Sequence, residues 1–269
     1  MNSGGRELDM QSILNSDIWN HLPDVIGFIV AGGFFLLMGY IFYWIFVIAP
    51  RRTQEVYAEL RMRGYRLLDP GDASIQPFLE THASIFPTDP LIGEDVPEWK
   101  CVHGAVKDEN TWKRTIINAR RTQRDRVGTG QNTTARDTTI LIDSIERPGS
   151  ELFYLVPCRN KVQVRWEKRY GLEKVELEEA ASGLNPVLLE YYEVYTKPGQ
   201  AVSVSTGLMK ALIQVVPILK DQSLFCFQQG VTLRFQASSW SICTSNRIYK
   251  IKDMEKLMEV AETISASLQ

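Results

Sequence analysis

From Val25 to Ala49 the chain reads VIGFIVAGGFFLLMGYIFYWIFVIA, 25 residues with no formal charge. As a helix rising about 1.5 Å per residue, this stretch is about 37 Å long, against a hydrocarbon core of about 30 Å. It can cross a bilayer with some tilt. Asp24 bounds it on one side, and Pro50, Arg51 and Arg52 bound it on the other. A cleaved leader would carry a basic start, a shorter apolar run and a small-residue cleavage pattern, none of which is present. A soluble core helix of this length would show a polar face. The pattern predicts a retained transmembrane helix over 23–49, preceded by a polar tail over 1–22.

Beyond the span the pattern is that of water-soluble structure. Thr53, Gln54, Glu55, Ala58, Glu59, Leu60, Arg61 and Met62 favour helix, with Gly64 as its stop, so 50–68 reads as a basic juxtamembrane helix. Val56, Tyr57 and Leu60 can share one face of it. Residues 69–98 hold Pro70, Pro77, Pro87, Pro90 and Pro97 among several acids, which predicts an extended linker with one short helix near Ile75–His82. From Trp99 the texture becomes strand-like: Lys100–Val106, Thr111–Ala119, Thr138–Ile145 and Leu152–Val156 alternate or are β-branched. Between the second and third lies a basic, glycine-bearing run expected to be a long exposed β-loop. Lys161–Tyr170 is ambiguous, and Lys174–Leu177 and Val187–Tyr195 read as strands. Ser205–Val216 has Leu208, Leu212 and Val215 at helical spacing, with Ser205 or Thr206 as cap and Pro217 ending or kinking it. Ser223–Phe227 and Val231–Phe235 suggest a hairpin around Gln228-Gln229-Gly230. Met254, Leu257, Met258, Ala261 and Ile264 stripe a closing helix over Asp253–Leu268, capped by Asp253. The class is α+β: one transmembrane helix, then an antiparallel-sheet domain with a few packed helices over 99–269, with a possible subdivision near 182.

Charge sets the expected orientation. Before the span the only basic residue is Arg6; after it come Arg51, Arg52, Arg61, Arg63 and Arg66. The positive-inside bias puts the N-terminus outside and the large domain in the cytoplasm, at the inner membrane of a cell. Tyr40, Tyr43 and Trp44 suit one interface, and Trp19 the other. Gly27 with Ala31, and Gly32 with Gly39, form a face of small residues suited to close helix packing or self-association.

The whole chain carries a net charge of −2, which gives no general pull toward nucleic acid. Cys101, Cys158, Cys226 and Cys243 contain no C-x-x-C pair, so the usual zinc spacings are excluded and reduced thiols are expected. Asn132-Thr133-Thr134 is a formal glycosylation acceptor, irrelevant to a cytoplasmic domain. His21, His82 and His103 form no H-E-x-x-H pattern. Gly128 and Gly130 lack the Gly-Lys-Ser/Thr of a phosphate loop. Ser238, Ser239 and Ser241 lack a nucleophile elbow and read as a polar turn. Glu176, Glu178 and Glu179 read as a solvated rim. No catalytic, metal or cofactor residues emerge, and no cofactor is expected.

The strongest functional signal is basic charge. Lys113, Arg114, Arg120, Arg121, Arg124, Arg126 and Arg136 lie in the loop region. With Arg51, Arg52, Arg61 and Arg63 they are the expected contacts to anionic lipid or an acidic partner, each worth about 1 kcal/mol near a charged leaflet. RNA binding would want interleaved aromatics, and only Trp112 is near. The order of elements resembles bacterial single-pass membrane-anchored families carrying a cytoplasmic domain of unknown function. The segments that carry it are NPVLLEYYEVYTKPGQA, then TGLMKALIQVV, a hairpin and an amphipathic closing helix, and it covers 99–269. The resemblance implies an α+β domain and supplies no catalytic residues. The expected function is an interaction or accessory module of a membrane complex, leaning away from an enzyme, with the bilayer and a protein partner or a second copy as partners. The alternatives are a membrane-tethered enzyme acting on a lipid-derived substrate and a small-molecule sensor.

Overall fold

The computed structural model describes residues 18–69, 75, 79, 98–108, 112–125, 132–145, 153–158, 172–175, 186–200, 202, 204–221, 223–224, 230–244 and 246–268. The chain divides into two compact units, Met1–Arg52 and Thr53–Gln269.

In the first unit, helix α1 covers Ile18–Tyr43, starting five residues before the expected 23. The helical path then widens into a π-helical turn at Trp44–Ile48 and continues as α2, Ala49–Met62. The N–H of Ala49 reaches back to the carbonyl of Trp44, five residues earlier. Pro50 explains the widening: it has no N–H, and its ring would crowd the carbonyl four residues back, so the turn opens rather than the helix ending. Phe28, Phe35, Leu36 and Phe46 are all largely exposed, as are apolar residues around the whole helix. This is the one helix, among the described residues, long and apolar enough for a membrane span, a test that a signal sequence near the N-terminus also passes.

α2 stops where its sequence says it should. Gly64 takes φ +87°, its N–H bonds the carbonyl of Arg61 at 2.9 Å, and the N–H of Tyr65 bonds that of Leu60 at 3.0 Å. This paired 6→1 and 5→2 closure satisfies two terminal carbonyls and brings the buried Tyr65 beside buried Leu60.

The second unit is built on one antiparallel sheet. Its strands are β1 (Arg66–Leu68), β2 (Glu98–Asp108), β3 (Trp112–Asp125), β4 (Asn132–Ile145), β5 (Phe153–Pro157), β6 (Glu173–Lys174), β7 (Tyr192–Thr196), β8 (Val231–Phe235) and β9 (Ser239–Thr244). Their order is β1-β2-β3-β4-β9-β8-β5-β7-β6. Three further helices are α3 (Pro186–Leu189), α4 (Thr206–Leu219) and α5 (Ile251–Leu268). The β8–β9 hairpin thus fills the gap between the β1–β4 meander and β5. On one sheet face Ile116, Leu141, Leu155, Leu233 and Ile242 share a core with Val56 and Leu60 of α2, Leu212 and Val215 of α4, and Leu257 and Ile264 of α5. On the other face Val106, Ile117, Ile140 and Ile142 share a smaller core with Leu68, Ile75 and Leu79. Inside the expected linker, the N–H of Leu79 bonds the carbonyl of Ile75 at 3.1 Å.

Several expectations change. α2 is not a stalk separate from the domain: its Val56–Tyr57–Leu60 face is core, β1 pairs with β2, and the compact unit begins at Thr53. The basic run is not a loop from Arg120 onward, because β3 and β4 stay in register from Trp112↔Ile145 to Asp125↔Asn132. Only 126–131 lies between them, outside the described residues. Val187–Tyr195 splits into α3 and β7, with Pro186 at the first helical position, where its missing N–H costs nothing. Pro217 lies inside α4 near its C-terminal end, and Ser205 caps that helix by accepting from the N–H of Leu208. Val231–Phe235 pairs with β5 and β9, and Ser239, Trp240 and Ser241 are strand rather than turn; 225–229 of the expected hairpin lie outside the described residues. α5 starts at Ile251, so Asp253 lies buried within its first turn rather than at the position preceding it. Residue 182 lies outside the described residues, and β5 pairs with both β7 and β8, which follow it in the chain. Lys161–Tyr170, Glu176–Glu179, Gly128, Gly130 and Cys226 lie outside the described residues.

Candidate functional site

Alternation along β3, β4 and β9 places polar and apolar residues in successive rows on the helix-covered face. The register pairs Arg114 with Asp143, Ile116 with Leu141, Asn118 with Thr139 and Arg120 with Asp137. Trp240 lies opposite Asp143, and Ile242 opposite Leu141. An apolar row therefore separates two polar clusters.

The first cluster is closed. Arg114 donates from Nε to Asp143 Oδ1 at 2.7 Å and from Nη2 to Oδ2 at 2.6 Å, with both side chains fully buried. Ser265 of α5 donates to Asp143 Oδ2 at 2.5 Å and accepts from the indole N–H of Trp240 at 3.0 Å. The Arg114 guanidinium lies 4.7 Å from the ring centre of Trp112. Burial opposes its charge, but the bonds to Asp143 outweigh this and hold the guanidinium charged. This cluster joins α5 to the sheet through the Asp143 carboxylate, which accepts from both Arg114 and Ser265.

The second cluster is open. It gathers Thr53 and Tyr57 from α2, His103 from β2, Asn118 from β3, Asp137 and Thr139 from β4, and Arg247 from the segment before α5. The hydroxyl of Thr139 donates to Asn118 Oδ1 and accepts from the N–H of Ile248 at 2.9 Å. Arg247 donates from Nη2 to Thr53 Oγ1 at 3.3 Å, and its Nη1 lies 3.9 Å from Asp137 Oδ2. Asp137 is already gripped by Arg120, Nε at 2.7 Å and Nη2 at 3.0 Å. The rings of Tyr57 and His103 lie 5.2 Å apart. Burial pushes the Tyr57 phenol far above its ordinary range, and burial with the Arg247 charge holds the His103 imidazole below its own. Among the described residues Arg247 Nε has no hydrogen-bond partner, while the Asn118 amide lies close enough to the Tyr57 hydroxyl to oppose in part the rise that burial causes.

The expected contact residues fall out differently. Arg114 is withdrawn into the core and cannot act as a surface cation. Arg51, Arg61 and Arg120 are exposed and Arg52 is half-buried. Arg63 is half-buried and bonds Glu59 at 2.8 Å and Glu255 at 3.2 Å. The register sets Arg121 opposite Arg136 and Arg124 opposite Thr133, while Arg126 lies outside the described residues. Gly27, Gly32 and Gly39 have nothing within 4 Å of an added Cβ, so their helix face, which includes Ala31, is open. The open cluster was missed by sequence reasoning. Its available signal was Asn118, a neutral amide that follows Ile116 and Ile117 and takes an inward position of β3. Among the described residues no group of three or more His, Cys, Asp or Glu could hold a metal ion. Comparison with family models, curated proteins and solved structures finds no match to this chain.

Proposed function

We propose that this chain is a single-pass membrane-anchored protein whose domain works on the cytoplasmic side as an interaction or accessory module of a membrane complex. The observation that carries the reading is α1, whose large apolar side chains are exposed around the helix and need a non-aqueous surround. The arginine bias supports the orientation, with Arg51, Arg52, Arg61, Arg63 and Arg66 on the domain side and Arg6 alone on the other. Two surfaces suit partners. The open face of Gly27, Gly32 and Gly39 admits a second membrane helix at close range. The register sets Arg121 opposite Arg136 at one end of the β3–β4 ribbon, which concentrates basic residues there and suits an anionic surface or an acidic partner.

The test is affinity capture from gently solubilised membranes, comparing the natural chain with a variant carrying Arg121→Glu and Arg124→Glu. Recovery of one membrane protein in stoichiometric amount, lost in the variant, is the expected result. A lone monomer from both chains would count against an accessory role.

A further inference from the structure

We propose that Trp99, Arg121 and Arg136, at the end of the β2–β3–β4 ribbon, form a docking row for anionic lipid headgroups. The inference rests on the membrane-anchored reading above and names the surface that the basic ribbon meets. β9 pairs with β4 only over Ile140–Ser144, so the ribbon runs on past that neighbour. Residues opposite one another on adjacent strands share a face of the sheet. On the face of the smaller core, Cys101 and Ala119 stand in one row with Thr138. The next row is Trp99, Arg121 and Arg136, and the one after sets Gln123 opposite Thr134. An aromatic residue and two cations therefore share one row. Among the described residues of β3 and β4, the first carboxylate beyond it on that face is Asp125, two rows further on. The opposite face differs: there Lys100, Arg120 and Asp137 share a row, and Asp137 accepts from Arg120 at 2.7 and 3.0 Å.

The make-up of the row selects lipid among anionic partners. Arginine meets phosphate through paired, charge-assisted bonds, and tryptophan favours the headgroup level of a bilayer. Trp99 is the one aromatic residue in 98–101, 119–125 and 132–138. The ribbon thus lacks the successive stacking platforms on which single-stranded nucleic acid is held. The sheet-bearing unit begins at Thr53, directly after the unit that carries the apolar helix. An anchored domain therefore meets the leaflet at high effective concentration, an advantage that a free acidic protein lacks.

The test is amide hydrogen exchange of the full chain in nanodiscs of phosphatidylcholine, or of phosphatidylcholine and phosphatidylglycerol in equal parts. Entry into the discs checks the anchor, and the difference between the two discs checks the row, so the two readings fail separately. Amides of 119–125 and 132–138 are expected to exchange at least about fivefold more slowly in the anionic discs, the worth of one cation at a charged leaflet. Salt at about 0.5 M is expected to remove the difference. Ile140, Leu141 and Ile142, paired on both sides, are the unchanged reference. Arg121→Gln with Arg136→Gln is expected to abolish the lipid effect, and Trp99→Ala to reduce it. Lys100→Gln with Arg124→Gln removes the same charge from the other face and is expected to leave the effect in place. The natural chain decides the matter alone if a variant fails to fold. Equal exchange in the two discs would overturn the proposal. So would equal loss of the effect in both double variants, which is diffuse attraction without a docking row. Stronger protection of these amides in phosphatidylcholine discs by polyglutamate or a single-stranded RNA than by anionic lipid would overturn it too.

Discussion

At the scale of single residues, the two polar clusters make opposite predictions. In the closed one, Asp143→Ala leaves Arg114 charged and buried, and is expected to cost about 3–5 kcal/mol. Replacing both partners, Arg114→Met with Asp143→Leu, is expected to recover most of that loss. Urea unfolding of the three proteins in detergent measures both; a single variant as stable as the double would refute the pairing. In the open cluster His103 titrates against folding. Its folded value lies below the ordinary one of about 6.5, so as pH falls the unfolded chain takes up the proton first. Stability is complete above about pH 6.5 and declines from there down to the folded value. The unfolding midpoint of the natural chain is therefore expected to drop more between about pH 7.5 and about pH 5.5 than that of His103→Phe, which keeps the ring against Tyr57. Equal drops would remove His103 from the account. Gly230 is a backbone position of a sharper kind. It sits at φ +94°, and a Cβ there would come within 2.6 Å of Pro157 Cγ. Gly230→Ala is expected to destabilise more than Gly64→Ala, where φ is +87° but the nearest contact is an ordinary 3.6 Å from the flexible end of Lys107.

At the scale of elements, what could be read from sequence was what local chemistry decides. Gly64 stopped α2, Ser205 capped α4, and the stripe of Leu257, Met258, Ala261 and Ile264 turned inward as expected. Strands β2 to β5 were legible from β-branched alternation. What failed needed knowledge of partners far along the chain. Ser239-Trp240-Ser241 reads as polar, yet Trp240 is buried because its indole finds Ser265 on α5 and its ring stacks on Phe235 at 5.9 Å. Arg114 reads as a surface cation until Asp143, 29 residues later, arrives opposite it. Asn118 gave the only local hint of the open cluster, and nothing in the sequence brought Tyr57 and Arg247 to it. α2 offers the most direct test at this scale. Leu60 is 0% exposed in the shared core, so Leu60→Ala is expected to cost about 2–5 kcal/mol in domain stability. An unchanged unfolding midpoint would restore the reading of this helix as a free stalk.

At the scale of the whole molecule, one exposed apolar helix is joined to a sheet domain that starts only a few residues after it, at Thr53. The Pro-rich stretch is therefore not the boundary between anchor and domain, because Leu68 before it and Ile75 and Leu79 within it all enter one core. Pro50, which on sequence grounds bounds the apolar run, is absorbed by the π-helical turn. We propose that this helix spans the membrane once, with the domain on the cytoplasmic side. Protease treatment of intact spheroplasts, with one epitope tag on each end of the chain, tests it most directly. The N-terminal tag is expected to be lost while the C-terminal tag survives until the membrane is opened. Loss of the C-terminal tag from intact spheroplasts would contradict it.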